Sequence, residues 1–224
     1  MKFEKIRSEE LKRRLRARKI SGLALDIDDT LSHTDQHWFN QVNMRLGNPE
    51  NMTFRETAKK YGREERIPHW QTQKGKRLVK KLIHSNKFQV DISLIAGSNR
   101  AVQKINRIIP IVAYLSSRPS SVWAGTRQWL SKHGFPDAPI ILLPSNVAHH
   151  KGIEWKARRI KFLYPEVQGI IDDHPALQKE LKTIGYLGRL FMYDSGGNAH
   201  HYHPRVARFR SWSDILKEIK NFAK

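Results

Sequence analysis

The chain contains no cysteine. That excludes disulfides, thiolate zinc sites and a cysteine nucleophile. It also has no apolar run near the roughly 18 residues that a membrane span requires. Residues 1–5 lead into no apolar stretch of the kind a secretory signal carries. These absences together favour a cytoplasmic protein with no membrane partner. Acids are scarce too: 21 Asp and Glu stand against 41 Lys and Arg, a formal net charge of +20. Such a field attracts polyanions and phosphorylated ligands, so nucleic acid and nucleotides are both candidate partners. The plainer reading is a basic surface that serves solubility. The 224 residues suit one domain of ordinary size, or a core with a modest insertion.

The pattern along the chain divides it in three. Residues 1–22 carry a dense basic run, Lys12, Arg13, Arg14, Arg16, Arg18 and Lys19, with Leu11 and Leu15 spaced four apart. That spacing predicts a thin amphipathic helix, with a nucleic-acid-binding arm as the alternative. Residues 23–32 and 97–224 alternate short apolar runs with helical patterns. The runs 22–28, 111–115, 139–143, 167–171 and 187–193 read as strands, and 98–108, 122–133 and 154–163 as helices. Ser213-Asp214 would cap a last helix to about Phe222. This rhythm predicts an α/β fold, a Rossmann-like three-layer arrangement with a parallel sheet covered on both faces. Residues 33–96 differ: polar, helical and rich in turns, they read as a small α-helical cap. Thr53 and Glu56 form a capping box, and Gly47-Asn48-Pro49 closes the helix before it.

Asp26-Ile27-Asp28-Asp29-Thr30 ends the first apolar run, where an open parallel sheet places its ligand site. A carboxylate there can attack a phosphoryl group if a divalent cation shields the repulsion. A second carboxylate two residues on can handle the leaving group's proton. Hard oxygen donors suit Mg²⁺. Asp172-Asp173 brings two more acids to the end of another strand, and acids so gathered repel without a cation. Ser116-Ser117-Arg118-Pro119 follows the strand 111–115, where a hydroxyl can donate to a phosphoryl oxygen. Lys151 and Lys156 flank the start of the helix before Asp172, where a lysine can neutralise the attacking carboxylate. Taken alone, the serines read as an ordinary polar turn and the lysines as surface charge.

The ordered set of DIDDT, LSSRP, a lysine and IIDDHP resembles the four motifs of the haloacid dehalogenase-like superfamily over residues 23–32 and about 97–194. The resemblance implies that Asp26 is a nucleophile forming an aspartyl-phosphate and that Asp28 is the general acid and then base. It implies Mg²⁺ held by Asp26, the Asp28 backbone carbonyl and one of Asp172 and Asp173, with Asp173 preferred. Ser116, with Ser117 beside it, would bind the phosphoryl group, together with Lys156 or else Lys151. An acid at Asp28 resembles the phosphatases and mutases of the superfamily; its transport ATPases have Thr there and its dehalogenases lack the acid. A cap between the first and second motifs implies a small phosphorylated substrate, and the layout is similar to the superfamily's nucleotidases and nucleic-acid end phosphatases.

Cap aromatics His37, Trp38, Phe39, Tyr61 and Trp70 are candidates to stack on a base or, more simply, to form the cap's own core. Arg45, Arg55, Lys59 and Lys60 are candidates to steer an anion. His200, His201 and His203 are candidates for a second metal site or a polar loop. A nucleic-acid-binding protein on an inherited phosphatase scaffold, and a mutase-like transfer, are the competing functions.

Overall fold

In the computed structural model, residues 2–62, 66–194 and 205–223 are described, so the histidines at 200, 201 and 203 lie outside them. Six strands form one sheet: β1 (Gly22–Leu25), β2 (Ile111–Pro119), β3 (Ile140–Leu143), β4 (Val167–Asp172), β5 (Arg189–Tyr193) and β6 (Val206–Phe209). Their order is β3-β2-β1-β4-β5-β6, and every neighbouring pair is parallel. Strands β1, β3 and the centre of β2 are apolar throughout and buried on both faces, as parallel sheets require.

Two separate cores follow, one with residues such as Leu25, Ile105 and Trp129, the other with Ala24, Leu115 and Ile160. Residues that alternate along a strand point to opposite faces, so Ala24 and Leu25 fall in different cores. The first core is covered by α6 (Ser98–Asn106), α7 (Trp123–Lys132) and α10 (Ile215–Phe222). The second is covered by α1 (Ser8–Arg18), α8 (Gly152–Leu163) and α9 (Pro175–Thr183).

The segment 33–96 folds as α2 (Thr34–Leu46), α3 (Phe54–Tyr61), α4 (Gln73–Ile83) and α5 (Asn86–Val90). The capping box is present: Thr53 Oγ1 accepts from the Glu56 amide, and the Glu56 carboxylate accepts from the Thr53 amide. Gly47 ends α2 at a positive φ of 84°. Trp38, Trp70 and Phe88 are buried and continuous with the first core, so the cap is packed on the domain. Trp38 lies against Phe88 with ring centroids 4.4 Å apart, and Trp70 Nε1 donates to Asn43 Oδ1. These two tryptophans are therefore core and not stacking platforms.

The structure adds α5 and β6, which the sequence pattern did not reveal; both are short. Two expectations need correction. The pattern over 98–108 places Ile108 on the helix's apolar side, but the helix ends at Asn106 and Ile108 is exposed. The Asp214 carboxylate accepts from Ser211 and not from the first turn of α10, because Ser211 reaches it with both its amide and its hydroxyl. No helix among the described residues is long and apolar enough to cross a membrane.

The basic run is a helix, α1, and its cations are largely matched within the chain. Arg13 and Arg14 pair with Glu10, Arg14 also with Glu4, and Lys12 and Arg16 with Glu166. Leu11 and Leu15 are buried against α8 and its core. Leu15→Ala should therefore cost about 2–5 kcal/mol of unfolding free energy in urea denaturation. A free arm would give no change.

Candidate active site

The register of the sheet brings the acids together. Leu25 at the end of β1 pairs with Ile171 in β4, and the Asp26 amide donates to the Ile171 carbonyl at 2.9 Å. The next residues, Asp26 and Asp172, thus leave adjacent strands side by side. On the other flank Leu25 pairs with Tyr114, which puts Ser116 and Arg118 two and four residues further along β2 at the same edge.

After Asp26 the chain turns sharply. The Ile27 carbonyl accepts from the Leu31 and Ser32 amides and from Ser32 Oγ. Asp29 sits at a φ of 51°, a left-handed conformation that Asp tolerates better than most residues. This turn directs Asp28 towards β2 and Asp29 towards Asp173 and the start of α2, where the Asp35 amide donates to the Asp29 carboxylate.

One lysine bridges the central acids. Lys156, on the buried side of α8, lies 2.8 Å from Asp26 Oδ1 and 2.8 Å from Asp172 Oδ2. Its side chain is only 2% exposed and that of Asp26 only 5%. Burial pulls the ammonium's pKa down, but Asp172 and Asp26 outweigh that, and it ends above its ordinary value. Lys151 is exposed in the short turn before α8 and contacts none of these acids.

Asp173 accepts from Thr30 Oγ1 at 2.8 Å, while Asp172 is fully buried and also accepts the His174 amide at 2.9 Å. So Asp172 is occupied with Lys156 and the backbone, and Asp173 is the acid less encumbered by protein donors.

A second cation, Arg118, holds Asp28. Its Nε and guanidinium Nη2 reach Asp28 Oδ1 at 2.9 and 2.8 Å. Ser116 Oγ donates to Asp28 Oδ2 at 3.0 Å and Thr34 Oγ1 to Oδ1 at 2.8 Å. Burial would raise the Asp28 pKa, yet Arg118 and the two hydroxyls more than offset it and keep the carboxyl ionised. Arg118 and Thr34 were not singled out from sequence. Arg118 stands within the LSSRP run, but only the fold shows that it faces Asp28. Ser116 is spoken for by Asp28, whereas the buried hydroxyl of Ser117 has no hydrogen-bond partner. It lies against Gly152, where a Cβ would come within 2.9 Å of it.

The balance of charge at this edge is uneven. Among the described residues, Asp26, Asp28, Asp29, Asp172 and Asp173 meet Lys156 and Arg118 as cations in direct contact. Burial, with repulsion from Asp172 and Asp28, pushes the Asp26 carboxyl up to about 7 despite Lys156. Asp29 and Asp173 are raised well above the carboxylate range by burial and by neighbouring acids. Asp26, Asp172 and Asp173 each offer an oxygen within 4.8 Å of the others. An all-oxygen donor set with excess negative charge fits Mg²⁺.

The sign of the pH dependence follows. A carboxyl that keeps its proton up to about 7 when folded, against 3.8 otherwise, makes the folded state bind more protons between those values. Stability of the metal-free protein should therefore fall as pH rises through that window. Asp29 and Asp173 act in the same direction, and Asp28, held below 3.8, titrates outside it. The melting temperature without metal should be lower at about pH 8 than at about pH 5, and MgCl₂ should raise it more at the higher pH. No magnesium-dependent shift at about pH 8 would remove the cluster as a metal site.

No family model matches this sequence, and no curated protein matches it at the sequence level. Its fold does match solved structures. A HAD-superfamily hydrolase of subfamily IA from Geobacter sulfurreducens superposes with a TM-score of 0.57 at 12% identity, covering 89% of this chain and 96% of that one. A HAD phosphatase from Thermococcus onnurineus gives 0.53 at 11% identity, covering 89% and 98%. A dehalogenase with an intermediate complex gives 0.54 at 11%, covering 89% and 96%. With its parallel six-stranded sheet and helices on both faces, the chain has a haloacid dehalogenase-like fold.

Proposed function

We propose that this protein is a Mg²⁺-dependent phosphomonoesterase that works through an aspartyl-phosphate on Asp26, with a small organic phosphate as substrate and a nucleotide as the favoured class. The observation that carries the reading is the pairing of Asp26 with Asp28 at one sheet edge, with Lys156 on the first and Arg118 on the second. Similar folds include dehalogenases, so the fold alone does not choose the chemistry. An acid two residues after the nucleophile favours phosphoryl transfer, because a phosphate ester needs its leaving alkoxide protonated.

Asp26 attacks phosphorus as a carboxylate, and Lys156 favours that ionised form. Mg²⁺, held by Asp26, Asp173 and the Asp28 carbonyl, would supply charge shielding between the nucleophile and the phosphoryl oxygens. Ser117, whose hydroxyl is unpartnered, is the better candidate to donate to a phosphoryl oxygen; Ser116 orients Asp28. Asp28 transfers a proton to the leaving oxygen and then takes one from the water that cleaves the acyl-phosphate. Arg118 holds Asp28 ionised, which suits the second of these roles. For the first, Asp28 has to gain a proton, and an incoming phosphate dianion that draws Arg118 towards itself would ease that.

The cap gives the nucleotide reading its basis in charge and not in stacking. Phe39, Phe54, Tyr61 and Trp70 line a cavity of about 70 Å³ beside Asp35. That is well below the roughly 300 Å³ of ordinary small-molecule pockets, so a base would need the cap to open.

Phosphate release from nucleotides, sugar phosphates and phosphate-ended oligonucleotides, with and without Mg²⁺, tests the proposal. Asp26→Asn should reduce turnover to background while retaining the wild-type circular dichroism spectrum. Asp28→Asn should lower kcat by about 10²–10⁴-fold. Normal turnover by Asp26→Asn would rule out Asp26 as the nucleophile.

A further inference from the structure

The chain's excess of positive charge is not spread evenly over its surface. On α1 the cations meet Glu4, Glu10 and Glu166. The segment 66–90 has no acid of its own: no Asp or Glu occurs between those residues. Within it, α4 carries Lys74, Lys76, Arg77, Lys80 and Lys81, all exposed and none in an ion pair among the described residues. At 3.6 residues per turn these five fall within an arc of about 160°. Leu78, Val79, Leu82 and Ile83 take the opposite arc and pack on the first core. Arg77 with Lys81, Lys76 with Lys80 and Arg77 with Lys80 stand at spacings where like charges repel and weaken a helix. No acid among the described residues pairs with these cations to offset that repulsion.

The helix is also fixed in place relative to the active site. Gly75 is buried against the turn 68–71, and a Cβ there would lie 2.3 Å from the Trp70 carbonyl oxygen. At the other end His84 Nδ1 lies 2.7 Å from Ser121 Oγ, three residues beyond Arg118. The basic face is thus held on an element that ends beside the turn following β2, the strand that carries Ser117 and Arg118.

We infer that the exposed face of α4 is a docking surface for the phosphate backbone of a single-stranded nucleic acid whose terminal phosphate enters the site at Asp26. Lys74 to Lys81 span about 10 Å along the helix axis, the rise of about three phosphates of one strand at 3.4 Å each. A single strand fits better than a duplex because Asp26 is 3% exposed, and only a narrow end reaches it. An anionic membrane is a poorer match. An interfacial helix needs an exposed apolar face to insert, and the apolar face of α4 is packed inside the protein. The fate of the terminal phosphate rests on the phosphomonoesterase reading, but docking does not require turnover.

The test is fluorescence anisotropy with labelled, phosphate-ended deoxyoligonucleotides of increasing length, in the Asp26→Asn background so that no turnover intervenes. Affinity should rise with length over the first few nucleotides. Replacing Lys76, Arg77, Lys80 and Lys81 together by Gln should weaken binding at least about tenfold and take about 2 off the salt slope, at about 0.7 for each of about three lost phosphate contacts. Replacing Arg13 and Arg18 on α1 by Gln should change affinity less than about twofold. Lysine acetylation of the unmutated protein, which needs no altered chain, should show Lys76, Lys80 and Lys81 protected by the oligonucleotide and Lys19 unprotected.

Equal loss in the α1 variant, an unchanged α4 variant, or binding to phosphatidylserine vesicles without binding to the oligonucleotide would each overturn the inference. Failure of the phosphomonoesterase reading would appear separately, as absent phosphate release by wild type with binding intact.

Discussion

The contact on which the site depends is that of Lys156 with Asp26 and Asp172. Three charged groups are buried together at the end of two adjacent strands, and each would be expensive alone. The lysine makes it tolerable to hold the Asp26 carboxylate there, which is where the proposed reaction puts its nucleophile. It does not neutralise the whole edge, since Asp28, Asp29 and Asp173 crowd the same space. The residual negative charge is what a divalent cation would answer, and burial together with that charge raises the pKa of Asp26, Asp29 and Asp173.

Asp26 and Asp28 are two residues apart, and the protein gives them opposite environments. Asp26 faces other acids and is pushed towards its protonated form; Asp28 faces Arg118 and two hydroxyls and is kept ionised. The turn at Ile27, with Asp29 in a left-handed conformation, separates them onto different neighbours. Two carboxyls with pKa values driven apart are a common basis for dividing roles in a reaction. The same turn delivers Asp29 to the start of α2, so the loop after Asp26 and the helical segment 33–96 are coupled through the backbone of Asp35.

Charge also organises the outside of the molecule. A net charge of +20 invites a reading in which every basic run touches a partner. The structure separates cations that serve the fold from those that do not. Those on α1 tie that helix to Glu166 and to its own acids, whereas those on α4 form no ion pair among the described residues. The run that looked most like an arm is structural, and the proposed contact surface is α4, whose cations stand opposite its apolar arc.

Much of this was legible in the sequence. Apolar runs ending in acids fixed β1 and β4 and their carboxylates, because a parallel strand buried on both faces has to be apolar and its C-terminal end meets the ligand side. The capping box at Thr53 and Glu56 and the stop at Gly47 are local chemistry and needed no tertiary context. Short elements such as α5 and β6 were not legible, since a few residues carry too little periodicity. Nor could sequence choose between Lys151 and Lys156: both are lysines near one helix start, and only the docking of α8 on the sheet buries one beside Asp26 and leaves the other in solvent. It could not pair Arg118 with Asp28, 90 residues apart, or show that Ser116 is committed to Asp28 while Ser117 is not. Sequence by itself determined which chemical groups the strands present. Tertiary structure decided which of them face one another, because partner choice depends on the register of β1 with β2 and β4, and a register is a property of the folded sheet.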